Sequence, residues 1–377
     1  MTPSPAKELY ALRHHRLFQS VESARLEAVI LNPSPTLYYL TGMQFHLSER
    51  PVLAFFKPGS PLALVLPRLE AQKAVDTAFP IQTFPYDEDP TGWVEVLQKA
   101  AEWCELNTAH LGLEPRYMRL LEFNLLESAL PQATFESGEA LLSALRMVKD
   151  AAEVQAMRQA ARIAQEALQA TLPVIRAGVT EREIAAELIV QLYRAGSDPT
   201  LPFTPIVSGG PNSANPHAFP SNRPLTIGDL LVIDWGAAFQ GYISDITRTF
   251  GIGQLEPEFE RIAQVVLEAN SAGRVACIPE TPASSVDRAA RSVIEAAGYG
   301  VYFTHRTGHG LGLEGHEEPY IRGDNPDPLL TGMSFTVEPG IYLPGRGGVR
   351  IEDDIVITAT GSESLTDLPR PVQILPA

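Results

Sequence analysis

The sequence contains very little cysteine, with only Cys104 and Cys277 among 377 residues. Two cysteines cannot build the disulfide framework of a small secreted scaffold or a cysteine-rich zinc site. Long apolar runs are also missing, since no stretch approaches the ~18 apolar residues that a bilayer span needs. Residues 1–18 lack the uninterrupted apolar core of a secretory signal. These absences predict a protein of the reducing cytoplasm with no membrane partner.

Positive charge is scarce as well. Lys and Arg number 29 against 45 Asp and Glu, which gives a net charge of −16 and a pI near 5.0. Nucleic-acid surfaces depend on basic patches, so this composition argues against a nucleic-acid partner. Apolar residues make up 45% of the chain and charged residues 20%, which is an ordinary globular composition.

The length predicts two domains, at ~100–200 residues per domain. Short apolar runs alternate with helical patterns in the first part, where Val52–Phe56 and Leu62–Leu66 flank a Pro-Gly turn and indicate a hairpin. We predict an α/β (α+β) chain. A small N-terminal α/β domain is expected at 1–135, a linker at 136–150 and a larger C-terminal domain at 151–377.

Two acidic residues lie in a predicted apolar hairpin over residues 230–250. Asp234 and Asp245 are equidistant from a turn centred between Phe239 and Gln240, so an unshifted register would place them face to face. Like charges directly opposite each other destabilise a sheet, and buried carboxylates cannot both stay ionised without a compensating charge. A cation bound between them would resolve this conflict.

The same arrangement recurs in a second predicted hairpin over residues 334–357. Glu338 and Glu352 are equidistant from Gly345, which lies in the turn. Either pair alone could be two solvated side chains in a coincidental register. The recurrence of the pair beside apolar strands favours a functional site.

Histidines cluster in a glycine-rich segment, where His305, His309 and His316 lie within twelve residues, and His217 follows a second glycine- and asparagine-rich loop. Glycine lets the backbone approach a ligand closely. Four carboxylates and one imidazole would form a mainly oxygen-based site for two divalent ions. Such a site suits Mn²⁺, with Co²⁺, Zn²⁺ or iron as alternatives.

These residues resemble the metallopeptidase family with the pita-bread fold (M24), which includes methionine aminopeptidase, aminopeptidase P, prolidase and creatinase. The resemblance covers about residues 150–377, and the N-terminal half is similar to the creatinase/prolidase N-terminal domain. The motifs SGGPNSANPH and GVRIEDDIVIT and the His-x3-His-x6-His string are similar to the Xaa-Pro branch. The family's metal ligands, in the order Asp, Asp, His, Glu, Glu, map onto Asp234, Asp245, His309, Glu338 and Glu352.

The resemblance implies hydrolysis of the peptide bond before a proline at the second position, by a hydroxide bridging two divalent metals. Glu338 would shuttle the proton and His316 would stabilise the oxyanion. His217 would hydrogen-bond the substrate around the scissile amide.

Further roles follow from the same resemblance. His305 is expected to border the proline pocket, Arg350 to fix the carboxylates from the same strand face as Glu352, and Tyr342 to assist them. A homodimer or homotetramer is also implied.

Several functions remain open from the sequence. We expect an Xaa-Pro aminopeptidase of the aminopeptidase P kind, with a prolidase that acts only on dipeptides as the alternative. A non-enzymatic peptide-binding module and creatinase would not need five intact metal ligands. Methionine aminopeptidase commonly lacks an N-terminal domain of this size, and organophosphate cleavage would be a side activity.

Overall fold

The computed structural model describes residues 5–377 and divides the chain into two compact units, Met1–Arg146 and Met147–Ala377. Each unit mixes helices with sheets, as the sequence predicts. No helix within residues 5–377 is both long and apolar enough to cross a membrane.

The first unit is built on one six-stranded mixed sheet. Its elements are α1 (Pro5–Ser23), β1 (Ala28–Leu31), α2 (Pro35–Thr41), β2 (Leu53–Phe56), β3 (Leu62–Pro67), β4 (Ile81–Tyr86), α3 (Trp93–Trp103), β5 (His110–Leu113), α4 (Leu120–Ala129), β6 (Thr134–Ser137) and α5 (Glu139–Met147). The strand order is β4-β3-β2-β1-β5-β6. The antiparallel pairing of β2 with β3 confirms the predicted hairpin. The segment predicted as a linker, 136–150, holds the end of β6 and all of α5.

The second unit carries most of the strands. Its elements are α6 (Ala151–Thr171), α7 (Glu181–Arg194), β7 (Ile206–Gly209), β8 (Leu230–Trp235), β9 (Ala238–Phe239), β10 (Tyr242–Ile243), β11 (Ile246–Ile252), α8 (Pro257–Val275), α9 (Ala283–Ala296), β12 (Gly308–Gly310), β13 (Glu317–Ile321), β14 (Ser334–Val337), β15 (Gly340–Leu343), β16 (Gly347–Arg350), β17 (Asp353–Thr358), β18 (Gly361–Ser364) and β19 (Gln373–Leu375). Helices α6 and α7 each begin with a capping box, at Asp150 and Thr180, which satisfies the free N–H groups of the first turn.

The two larger sheets of the second unit are joined at one point. One sheet has the order β19-β11-β8-β7 and the other β13-β12-β14-β17-β18. A backbone bridge between Thr247 of β11 and Glu352, just before β17, joins them. Ile262 and Val266 of α8 pack in a buried apolar cluster with Leu230 of β8, Ile341 of β15 and Val349 of β16.

The first predicted hairpin forms, but its predicted register is wrong. Phe239 pairs with Tyr242, and Asp234 lies opposite Thr247 instead of Asp245. The turn therefore consists of Gln240 and Gly241, both with positive φ (53° and 78°), as a two-residue turn that matches the strand twist requires. The resulting shift is two residues, so Asp245 keeps the predicted sheet face.

The register of the second hairpin is confirmed. Val337 lies opposite Asp353 and Gly340 lies opposite Arg350, which places Glu338 opposite Glu352. The hairpin is split between two sheets, with β14–β17 in the five-stranded sheet and β15–β16 in a separate two-stranded one.

Candidate metal centre

Four polar side chains form one row across the strands of the second unit. Asp234 pairs with Thr247, Thr247 pairs on its other side with Glu352, and Glu352 lies opposite Glu338. Residues directly opposite one another on neighbouring strands direct their side chains to the same face. Strand register alone therefore places three carboxylates on the same face.

Asp245 and His309 complete this cluster. Asp245 precedes Thr247 by two residues and so shares its face, and its Oδ2 lies 3.7 Å from Nε2 of His309. The same nitrogen lies 3.4 Å from Oε1 of Glu338. Asp245, His309 and Glu352 each place a ligand atom within 4.8 Å of the other two, and all three are buried. Such a cluster has the dimensions of a metal site.

Glycine at position 308 allows β12 to bring His309 this close. A Cβ atom at Gly308 would lie 1.8 Å from the carbonyl oxygen of Thr336, so any other residue would push β12 away from β14. The hydroxyl of Thr336 then accepts a hydrogen bond from the His309 amide at 3.1 Å. This explains why the histidine is interleaved with glycine.

Hydrogen bonds fix three of the carboxylates from outside the cluster. Thr247 Oγ1 donates to Glu352 Oε2 at 2.5 Å, and Thr336 Oγ1 donates to Glu338 Oε1 at 3.3 Å. Arg350 Nη2 donates to Asp234 Oδ2 at 2.6 Å. Each of these hydrogen bonds restrains the orientation of a carboxylate through one of its two oxygens.

The carboxyl groups of the cluster have raised pKa values, mainly because burial disfavours the charged form, and their mutual repulsion adds to this in most of them. They are Asp234, Asp245, Glu338 and Glu352. The pKa of Glu338 is raised to about 7. Burial and the neighbouring His316 lower the pKa of His309 well below its ordinary value, so its imidazole is neutral. The cluster thus lacks enough positive charge to ionise fully.

A divalent cation fits this environment. Asp234 Oδ1 is buried and receives no hydrogen bond from any residue within the described chain, which is costly unless a ligand satisfies it. Carboxylate oxygens together with one neutral imidazole suit a divalent ion of the Mn²⁺ type. The donor set, the unsatisfied oxygen and the raised pKa values point to the same missing positive charge.

The cluster opens into a cavity of about 1050 Å³. Its lining includes every predicted site residue except Tyr342: His217, Asp234, Asp245, His305, His309, His316, Glu338, Arg350 and Glu352. Tyr342 is buried behind this wall, where its hydroxyl lies 3.0 Å from both Arg350 Nη1 and His305 Nε2. Burial lowers the pKa of His305 to about 4, so this histidine is neutral.

Two histidines of the cavity lie nearer the solvent. His217 and His316 are both exposed, and the ring of His316 lies 3.9 Å from that of His309, centroid to centroid, with the two planes tilted by 45°. Arg306 Nη2 approaches His316 Nδ1 at 3.4 Å. These positions leave both histidines facing the space that a substrate would enter.

Sequence reasoning missed several residues of the site. Thr247 links Glu352 and Arg350 through its hydroxyl, and Asp354 accepts a hydrogen bond from the Asp245 amide at 3.1 Å. If the turn of the first hairpin is placed at Gln240 and Gly241, the register puts Thr247 opposite Asp234 and marks it as a site residue. Phe203 and Phe219 also line the cavity, but nothing in their local sequence marks them.

The raised pKa values predict how the stability of the metal-free protein depends on pH. A carboxyl whose pKa is higher in the folded than in the unfolded chain stabilises the fold below its unfolded pKa, and this contribution is lost as the pH rises through the folded pKa. For Glu338 that window runs from 4.5 to about 7. We expect the Tm of the metal-free chain, measured by calorimetry, to fall across this window and Mn²⁺ to abolish the fall.

Asp245→Asn removes one titrating carboxyl and is the matched control, which should show a shallower dependence on pH. A metal-free Tm that rises steadily from pH 4.5 to 7 would contradict this electrostatic description of the site.

Comparison with known proteins agrees with this geometry. Residues 155–359 match the model of metallopeptidase family M24, and residues 13–148 match that of the creatinase/prolidase N-terminal domain. The fold is therefore a creatinase-like N-terminal domain followed by an M24 domain.

Solved structures of similar proteins extend the match to nearly the whole chain. A dipeptidase from Pyrococcus horikoshii is 36% identical, with a TM-score of 0.89 over 96% of this chain and 100% of that one. A prolidase from Thermococcus sibiricus is 33% identical, with a TM-score of 0.91 over 97% and 99%. An X-Pro aminopeptidase from Thermotoga maritima is 32% identical, with a TM-score of 0.84 over 96% and 99%. The cluster of acidic residues and histidine thus lies in a chain that belongs to metallopeptidase family M24.

Proposed function

We propose that this protein is a metal-dependent Xaa-Pro dipeptidase, which hydrolyses the bond before proline in dipeptides. The observation that carries the proposal is the buried cluster of Asp245, His309 and Glu352 at the base of an open cavity. The names of the similar proteins favour a dipeptidase of the prolidase kind over the aminopeptidase P expected from the sequence.

Five side chains would hold two divalent ions, with Mn²⁺ as our first candidate: Asp234, Asp245, His309, Glu338 and Glu352. When bound, such ions lower the pKa of a shared water and polarise the substrate carbonyl. The neutral imidazole of His309 is in the protonation state that ligation requires. Hydrogen bonds such as that from Thr247 to Glu352 hold the carboxyl groups in a fixed orientation.

Glu338 is the candidate for proton transfer. Its carboxyl lines the cavity and keeps some solvent exposure, and Thr336 holds one of its oxygens. A carboxylate at this position can accept the proton of the attacking water and deliver it to the leaving nitrogen of proline. Like any amide nitrogen, it must gain a proton before it can leave as an amine, and for proline the product is a secondary amine.

His316 and His217 would act on the substrate. Both line the cavity and are exposed to solvent. A donor directed at the carbonyl oxygen stabilises the negative charge that develops during attack. We assign that role to His316 and a hydrogen bond near the scissile amide to His217.

Arg350, Tyr342 and His305 would support these groups from the cavity wall. Arg350 pairs with Asp234 and donates to Tyr342, whose hydroxyl also meets His305. This chain of contacts connects a carboxylate ligand to the part of the wall where His305 lies. It can hold Asp234 in the orientation needed for ligation.

Apolar residues of the cavity offer contacts for a proline ring. The lining includes Pro202, Phe203, Ile206 and Phe219. Proline cannot be selected through an N–H group, because its imide nitrogen has none. Ring-shaped apolar contact and the bond geometry of proline must therefore provide the selection.

An Xaa-Pro aminopeptidase is the second candidate, because the similar protein from Thermotoga maritima carries that name. A dipeptidase must exclude residues beyond proline, whereas an aminopeptidase needs an open cleft there. The two functions share the same metal ligands and differ in permitted substrate length. Assembly as a homodimer or homotetramer is also proposed.

Three peptides separate these functions: Ala-Pro, Ala-Ala and Ala-Pro-Ala, assayed with added Mn²⁺. We expect kcat/KM for Ala-Pro to exceed that for each of the others by about 100-fold or more, since the proposed dipeptidase would select the proline ring and exclude residues beyond it. Rapid cleavage of Ala-Pro-Ala would instead identify an aminopeptidase. Comparable values for Ala-Pro and Ala-Ala would refute an Xaa-Pro peptidase.

Replacing the two exposed histidines tests their assigned roles. His316→Ala should lower kcat by about 100- to 1,000-fold, as loss of an oxyanion donor does in comparable enzymes. His217→Ala should reduce kcat/KM, and the Mn²⁺ content of both variants should equal that of the wild type by elemental analysis. If His316→Ala loses bound Mn²⁺, this histidine is a ligand and the assignment is wrong.

A further inference from the structure

The amide of Asn270 on helix α8 contacts the backbone beside both glutamates of the metal cluster. Asn270 is fully buried, and its Nδ2 lies 3.1 Å from the carbonyl oxygen of Val337 and 3.3 Å from that of Ile351. These two carbonyls belong to the peptide bonds that lead into Glu338 and Glu352. One side chain thus holds the peptide groups before both residues.

The orientation of this amide is determined by its neighbours. Arg274 Nε donates to Asn270 Oδ1 at 2.8 Å, and since arginine has no acceptor, the amide oxygen must face Arg274. The NH₂ group therefore faces the two carbonyls, together with Asp353 Oδ2 at 3.1 Å. Two hydrogens serve three acceptors, so a substitute without donors would leave buried oxygens unsatisfied.

Helix α8 also lies close against β14 at this point. A Cβ atom at Gly273, three residues after Asn270, would lie 2.8 Å from Cγ1 of Val337. The missing side chain lets the helix come near enough for a short asparagine to reach the strand backbone. The glycine and the asparagine together fix the distance between α8 and the residues that precede the glutamates.

We propose that Asn270 is a positioning residue that sets the relative placement of Glu338 and Glu352 and thereby the affinity of the cluster for divalent ions. This inference rests on the proposed metal-dependent function. Each glutamate side chain emerges from the residue directly after a carbonyl that Asn270 holds. Rotation of either peptide group would move a carboxylate relative to its opposite partner. Asn270 itself touches neither carboxylate, so it acts through the backbone.

The test measures the Mn²⁺ affinity of Asn270→Leu by competition with a chelating dye, and the Tm of the metal-free variant by circular dichroism. Leucine has the same number and branching of side-chain heavy atoms as asparagine and no donors. We expect Mn²⁺ affinity to fall about 10- to 100-fold, as it does when groups that orient metal ligands are removed. Gly273→Ala retains the amide but places a methyl group 2.8 Å from Cγ1 of Val337, so that α8 or Val337 must shift. It should weaken Mn²⁺ binding in the same direction.

Ile262→Ala is the matched control, because it creates a cavity under the same helix two turns earlier. It should lower the Tm while leaving Mn²⁺ affinity unchanged. Wild-type Mn²⁺ affinity in Asn270→Leu, with a Tm lowered as in the control, would overturn the inference. If Asn270→Leu does not fold, unchanged affinity in Gly273→Ala overturns it instead. A wild-type chain that binds no divalent ion would refute the proposed function as well as this inference.

Discussion

The structure around the cavity depends on a concentration of buried negative charge that the protein does not itself neutralise. Asp234, Asp245, Glu338 and Glu352 converge there with raised pKa values, mainly because of burial. Arg350 compensates for part of this charge through its pair with Asp234. The fold holds three of these carboxylates in a row across its strands and Asp245 on the same face, so they cannot separate to relieve their repulsion. A bound divalent cation supplies the missing charge in our account.

Neighbouring acidic residues in the same segment show how the chain distinguishes a structural carboxylate from a ligand. Asp353 follows Glu352 directly, but it points to the other side of the strand and pairs with Arg248 at 2.8 Å and Arg370 at 2.8 Å. Although burial acts to raise the pKa of Asp353, these arginines lower it overall. Within residues 5–377, Glu352 forms no such ion pair and instead accepts a hydrogen bond from the hydroxyl of Thr247. Successive side chains along a strand point to opposite faces, so Asp353 forms ion pairs on one face while Glu352 joins the metal cluster on the other.

The sequence predicted the α/β organisation and nine of the residues that line the cavity, but it missed others such as Phe203 and Phe219. It predicted the register of the second hairpin correctly, since Glu338 and Glu352 lie opposite each other. It failed for the first hairpin because the position of the Gln240-Gly241 turn depends on two residues adopting positive φ. Contacts between segments distant in sequence, such as Asn270 with Val337 and Ile351, could not be predicted because no local pattern encodes them.

The most direct test of this account is anomalous scattering from crystals of the protein grown with Mn²⁺. We expect two anomalous peaks per chain, both enclosed by the five proposed ligands: Asp234, Asp245, His309, Glu338 and Glu352. A single peak, no peak at this position, or a peak held by His217 or His316 would contradict it.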